Sequence, residues 1–235
     1  MVKESPIVAI AARNNAEWCH AFSATHGVCG IFESDWWRSR SRTPPYYPDA
    51  VTFVRNAAAA VLLERIELGA GCSVKDSFAD LDLGREGFEI LFRADWLSLE
   101  PETAAEPGNW SVVTTPIQLA QWEAGWAGST GGVCNFFRPA LLVHGSLALL
   151  ASVSGDRVVA GAVAYRSEAV IGLTDLFDAG GDLEAAWRSA AAAASARWGP
   201  LPIVGYDLGE SLVAAHHAGF VTVGELAVWT HPGDG

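Results

Sequence analysis

Four pieces of the chain decide its fold: Arg157-Val-Val-Ala-Gly-Ala-Val-Ala-Tyr165, Ala169-Val-Ile-Gly-Leu-Thr-Asp-Leu-Phe177, the alanine-rich Leu183 to Trp198, and Leu201-Pro-Ile-Val-Gly-Tyr206. The first two are apolar runs rich in β-branched residues and separated by a short polar break, which predicts a β-hairpin. Leu183 to Trp198 carries good helix formers over four turns and predicts a helix. Leu201 to Tyr206 is again a strand. A short helix then stops at Ala218-Gly219-Phe220, where the glycine suits a helix C-terminus, and Val221 to Trp229 predicts a closing strand.

Upstream of this run, Ser154-Gly-Asp-Arg157 reads as a hairpin turn preceded by a strand from Leu147 to Val153. Trp110 to Thr115 predicts a strand. Thr115-Pro116 forms a cap and first-turn pair for a helix to about Trp126, with Leu119, Trp122 and Trp126 on one apolar face. Gly125 to Gly132 reads as a glycine-rich loop before Phe136-Phe-Arg-Pro139.

The stretch Leu99-Glu-Pro-Glu-Thr-Ala-Ala-Glu-Pro-Gly108 is acidic and has a proline near each end, which discourages regular structure. It divides the chain into residues 1–100 and 107–235. In the first segment, Asn15 to Thr25 predicts a helix with Asn14 or Asn15 as its cap. Trp36 to Pro48 predicts an irregular aromatic and proline-rich stretch. Asp49 to Val54 and Phe88 to Arg93 predict strands, Ala57 to Leu68 an amphipathic helix, and Gly71 to Ser77 a polar turn. No internal repeat is visible in the sequence.

The chain has 235 residues, half of them hydrophobic and 18% charged, enough to bury a sizeable core. No run approaches the roughly 20 apolar residues of a membrane span, since Ala140 to Val153 is broken by His144, Gly145 and two serines. The N-terminus lacks a signal-peptide pattern, so a soluble cytoplasmic protein is expected. The net charge of −12 argues against nucleic acid, which needs a basic face. The three arginines Arg38, Arg40 and Arg42, flanked by Trp36, Trp37, Tyr46 and Tyr47, either hold an anion or pair with nearby acids. Trp18-Cys19-His20 and His26-Gly-Val-Cys29 do not match structural zinc spacings, so no metal is expected.

From Trp110 onward, the order is strand, helix, loop, strand, hairpin strand, strand, helix, strand, helix, strand. With the Gly-Asp turn before Val158-Val-Ala-Gly-Ala and the Ala-Gly-Phe220 helix ending, this order resembles the GCN5-related N-acetyltransferase superfamily. The resemblance covers residues 107–231, the C-terminal half. It implies an α/β fold, a mixed central sheet flanked by helices, with an N-terminal α/β extension. It also implies acetyl-CoA or another acyl-CoA as cofactor, and transfer of the acyl group to an amine of a small molecule. The reaction would lie where two adjacent strands splay apart, which project onto Arg157–Tyr165 and Leu201–Tyr206.

The pattern departs from the family at two places. The phosphate-binding loop would fall on Phe177-Asp-Ala-Gly-Gly-Asp182, which is short and has no arginine or glutamine. Gly180-Gly181 suits an anion nest, whereas Asp182 suits a helix cap and Asp178 adds negative charge. The family's usual acidic tyrosine falls on Ala215, followed by His216 and His217, which are proton donors or complements to the helix dipole.

The candidate residues are therefore Asp175, Tyr206 and Glu210 for catalysis; Gly180, Gly181 and Phe177 for the cofactor; and Trp36, Trp37, Tyr46 and Lys75 for the substrate, with Trp36 to Tyr47 closing one side of the cleft. Lys75 and Asp207 have plainer readings as a surface ion pair and a helix cap. Two alternatives stand beside acyl transfer: different chemistry in the same cleft without coenzyme A, or a non-catalytic binding protein on this scaffold.

Overall fold

The computed structural model describes residues 6–101 and 108–233. The core of the predicted linker, residues 102–107, lies outside the described residues. The chain divides into two compact units, Met1–Trp96 with Val223–Gly235, and Leu97–Thr222.

The first unit opens with α1 (Pro6–Thr25), followed by β1 (Gly30–Phe32), β2 (Trp36–Ser39), β3 (Ala50–Thr52), α2 (Ala59–Leu63), β4 (Ser73–Asp76) and β5 (Glu89–Leu99), whose last three residues belong to the second unit. The second unit continues with β6 (Trp110–Val112), α3 (Pro116–Thr130), β7 (Leu147–Ser154), β8 (Arg157–Arg166), β9 (Ile171–Asp178), α4 (Leu183–Trp198), β10 (Ile203–Asp207) and α5 (Gly209–His217). β11 (Val221–Thr230) begins in the second unit and runs on in the first. Strand order is β1-β2-β3-β4-β11-β5 in the first unit and β10-β9-β8-β7-β6 in the second. Each sheet is mixed, because β3 pairs with β4 and β9 with β10 in parallel while β1 with β2, β2 with β3, β4 with β11, β6 with β7, β7 with β8 and β8 with β9 pair antiparallel.

Successive strand residues face opposite sides of a sheet, and in the second unit both sides are covered. Ala148, Leu150, Ala162, Ala164, Ile171 and Leu173 pack with Trp187, Ala190, Ala191 and Ala194 of α4 and with Ala215 of α5. The small side chains of α4 let it lie close to the sheet. On the other face, Trp122 of α3 meets Phe177 edge to face with centroids 5.3 Å apart, and Gly161 sits beneath both rings, where a Cβ would come within 2.6 Å of either.

Several elements differ from the sequence reading. α1 starts at Pro6, so Asn14 and Asn15 are not caps; both are buried in mid-helix, and Asn15 Oδ1 accepts a hydrogen bond from Lys75 Nζ at 2.8 Å. The polar-looking Gly71–Ser77 contains a buried strand, β4, rather than a turn. Ser73 N–H donates to Asp49, and the Asp76 carboxylate accepts from Phe78 and Leu81 N–H. The aromatic stretch begins with a regular strand, β2, and α2 is shorter than the predicted helix. α3 runs to Thr130 through Gly125, which sits where a Cβ would be 2.9 Å from the Phe177 ring. Its start carries a full capping box between Thr115 and Gln118.

Candidate active site

The strand that pairs with β10 in parallel is β9, Ile171–Asp178, and not β8, onto which the family's splayed pair projects from the sequence. β8 instead pairs antiparallel with β9, so that β9 stands between β8 and β10.

Parallel pairing of β10 with β9 comprises Ile203 with Ile171 and Val204 with Gly172. Gly205 still packs closely, because a Cβ there would be 2.9 Å from Leu173 O and 3.4 Å from the Trp187 ring. Beyond Val204 and Gly172 the two strands no longer pair. Counted onward in the same register, Tyr206 stands level with Thr174, and Asp207 with Asp175. At this level β9 is bulged: Gly161 opposes Phe177 and Val163 opposes Thr174, so Asp175 and Leu176 together face Ala162. Asp175 has a φ of 51°, a left-handed conformation that few non-glycine residues adopt and that Asp tolerates better than most.

The carboxyl end of β10 carries a short hydrogen-bonded chain. Trp187 Nε1 donates to Ser211 Oγ at 3.1 Å, and Ser211 Oγ donates to Asp207 Oδ2 at 2.6 Å. Leu208 N–H donates to Asp207 Oδ1 at 2.8 Å. Burial pushes the Asp207 carboxyl above its usual range, against the opposing pull of Ser211 and of Leu208 N–H. Tyr206 is half-buried beside it, and Glu210 is exposed in the first turn of α5. Asp175, Tyr206 and Glu210 thus belong to one end of the second unit, and Asp207 joins them.

Gly180 and Gly181 are exposed in the β9–α4 loop. The Asp178 carboxylate accepts from Asp182 N–H, and the Asp182 carboxylate, the cap of α4, accepts from Ala185 N–H at 3.0 Å. A pyrophosphate at a helix start needs free N–H groups and gains from neighbouring cations. Here two carboxylates already hold such groups, and the nearest arginine on α4, Arg188, is tied to Glu184 at 2.5 Å. These residues do not fit the nucleotide pyrophosphate of coenzyme A. Phe177 lies in the core, 2% exposed, against Trp122.

The remaining candidates lie in the first unit. Trp36 and Trp37 are buried in β2, and Trp37 Nε1 donates to His20 Nδ1 at 3.3 Å. Tyr46 is 67% exposed, and Lys75 is buried at 3%. The surface ion pair read for Lys75 is therefore replaced by an interior hydrogen bond to Asn15. Arg38 pairs with Glu33 at 2.8 Å and Arg42 with Asp49 at 2.6 Å, so these two arginines are engaged internally. Among the described residues, no group of three or more His, Cys, Asp or Glu side chains could hold a metal ion, and no helix is long and apolar enough to cross a membrane. In the second unit a pocket of about 150 Å³ is lined by Leu99, Glu100, Arg188, Ser195 and Ala218 among others, and none of the sequence-derived candidates lines it. It lies between α4, the start of β10 at Ile203 and the end of α5 at Ala218 and Gly219, so it is at the opposite end of β10 from Asp207, and the strand ends that carry the polar groups are the better site.

Two polar residues were not among the sequence-derived candidates. Ser211 lies in the first turn of α5, and its hydroxyl reaches back across the turn to Asp207 at the end of β10. Glu123 interrupts the apolar face of Leu119, Trp122 and Trp126. It is 7% exposed, and its carboxylate accepts the N–H groups of Asn135, Phe136 and Phe137, fixing the loop after α3.

No family model matches the sequence, and no curated protein matches it. Solved structures do match. A GCN5-related N-acetyltransferase from Kribbella flavida superposes with a TM-score of 0.62 at 14% identity, over 96% of this chain and 96% of that one. A GCN5-related N-acetyltransferase from Sphaerobacter thermophilus gives a TM-score of 0.52 at 10% identity, over 97% and 94%. The chain has the fold of the GCN5-related N-acetyltransferases. The likeness runs along nearly its whole length, where the sequence had suggested the C-terminal half alone.

Proposed function

We propose that the protein is an acyltransferase that moves an acyl group from a thioester donor to an amine of a small molecule, at the β9–β10 opening of the second unit. The observation that carries this reading is the end of strand pairing at Val204 and Gly172, beside the bulge at Asp175. Where parallel strands part, their facing N–H groups leave the ladder and can polarise an acyl carbonyl. A carboxylate pushed above its usual range, as at Asp207, is a better proton acceptor near neutral pH.

In the reaction, an ammonium substrate first gives a proton to the carboxylate of Asp207, or to that of Asp175 or Glu210, while the Tyr206 hydroxyl can hand a proton to the leaving sulfur and recover one from the new amide nitrogen. The amine nitrogen then attacks the thioester carbon, a C–N bond forms, the C–S bond breaks, and the thiolate takes up a proton. The acids around the opening favour a cationic acceptor. The protein would act in the cytoplasm on small molecules, without nucleic acid or membrane. The fold's customary donors, acetyl-CoA and other acyl-CoAs, are poorly matched by the α4 loop, and that observation favours a second reading, a binding protein that takes an amine without transfer.

The test incubates the protein with acetyl-CoA or with a nucleotide-free acetyl thioester and a panel of polyamines, amino acids and amino sugars, and follows thiol release and the N-acetyl product by mass spectrometry. Amine-dependent release that falls about 10²- to 10⁴-fold in Asp207→Asn is expected, the order that general-base groups contribute. Saturable amine binding with no release from any thioester would replace transfer by the second reading.

A further inference from the structure

We infer that Asp178 and Asp182 act as a resident anion at the start of α4, turning away nucleotide pyrophosphates so that the donor of this site is a thioester without a nucleotide. This deepens the acyltransferase reading and, as a statement about the donor, rests on it. Asp178 accepts from Asp182 N–H, and Asp182 accepts from Ala185 N–H at 3.0 Å. The loop turns at Gly181, with a φ of 82°, and the protein itself supplies the anion that its N–H groups meet. Any phosphate arriving there would have to displace a covalently tethered carboxylate and sit beside another.

In the first unit a crossover N–H also meets a carboxylate, although before the helix start and from a distant residue, since Ala58 at the start of α2 has no side-chain cap. That unit's crossover loop begins α2 after β3, and there Asn56 N–H donates to both oxygens of Asp80 at 3.2 Å. Arg55, the one cation of that loop, also faces Asp80, at 3.5 Å. Both β-to-helix crossovers therefore present an N–H group to a side-chain carboxylate.

The experiment compares coenzyme A with pantetheine, which has the same thiol arm and no phosphate, by isothermal titration of the whole protein and of Asp178→Asn/Asp182→Ser. Both replacements keep an oxygen that accepts the loop N–H groups, and serine remains a good helix cap, so the fold is retained; a circular dichroism melt checks this. Wild type should bind coenzyme A no more tightly than pantetheine. The double variant should gain about tenfold for coenzyme A, the order expected when two exposed charges stop repelling a doubly charged group a few ångströms away through screened solvent, and pantetheine should change less than twofold. Wild type preferring coenzyme A, or no gain in the double variant, would overturn the inference. If the double variant gains coenzyme A binding but no thioester supports transfer, the inference about binding stands and the acyltransferase reading fails.

Discussion

β3 and β4 in the first unit, and β9 and β10 in the second, are built on one plan. In each, an antiparallel three-strand meander ends in a strand that crosses through a helix to a parallel neighbour, and two residue pairs hold the parallel strands together: Ala50 with Val74 and Val51 with Lys75 in one, Ile171 with Ile203 and Gly172 with Val204 in the other. Beyond those pairs the two units part company. In the first, Ser77 N–H donates to Thr52 Oγ1 at 3.0 Å, Trp96 Nε1 donates to Ser77 O at 2.9 Å, and Thr52, Asp76 and Ser77 are wholly buried. In the second, Thr174, Asp175, Tyr206 and Asp207 all keep partial exposure. A strand order can thus be reused while the gap that it creates is filled in one copy and left open in the other, and side chains at four or five positions make the difference.

The sharpest way to break this comparison is to empty the filled gap. Trp96 is 1% exposed, and Trp96→Ala should cost about 3–5 kcal/mol in stability by the usual cost of deleting a buried aromatic, with the orphaned Ser77 carbonyl included. Tyr206→Ala, at the open end, should cost less than about 1.5 kcal/mol, as expected for a half-exposed side chain. Urea unfolding measures both, and equal losses would mean that the two ends are equally packed.

A smaller effect tests the polar plug itself. Thr52→Val keeps the shape and removes the acceptor of the Ser77 N–H, leaving a buried donor unsatisfied at a cost of about 1–3 kcal/mol. Hydrogen exchange at the Ser77 amide should quicken. An unchanged exchange rate would show that this bond does not close the strand ends.

The sequence made the second unit readable because its elements are long and uniform: an alternating hairpin, an alanine-rich helix with Asp182 before it, and a Gly-Phe helix ending. The first unit was harder, and the reasons are physical. Its strands β1, β2 and β3 span only three or four residues each, too short for alternation to show. Its polar residues at Asn15, Lys75 and Asp76 read as caps and turns, although they are interior groups: Asn15 and Lys75 bond each other across 60 residues of chain, and Asp76 is held by the N–H groups of Phe78 and Leu81 just after it. The repeated plan escaped notice because topology carries it and sequence does not. Of the candidate site, Asp175 stands out in the sequence as a carboxylate inside an apolar strand, Tyr206 as a residue at a strand end, and Asp178–Asp182 as a short acidic turn before a helix. The splayed partner was assigned one strand away because β8 and β9 are equally apolar.

The smallest effect is a titration. Burial raises the carboxyl of Asp76 in the first unit and of Asp207 in the second, and in each case hydrogen-bond donors oppose it: Leu81 and Phe78 N–H for Asp76, Ser211 and Leu208 N–H for Asp207. A carboxyl that is raised on folding binds more protons in the folded chain than in the unfolded one between the two midpoints. Each therefore favours the folded state at low pH, and that contribution is lost as pH rises through the folded midpoint. Carbon-13 NMR of the side-chain carboxyls should place both midpoints above the ordinary aspartate value. Ser211→Ala removes a donor that stabilises the charged form, so it should raise the Asp207 midpoint further and leave Asp76 unmoved. An added small ammonium ligand should lower the Asp207 midpoint, because the cation favours the carboxylate, while Asp76, wholly buried, should not respond. A response at Asp76 as large as that at Asp207 would mean that the first unit is open to ligand as well.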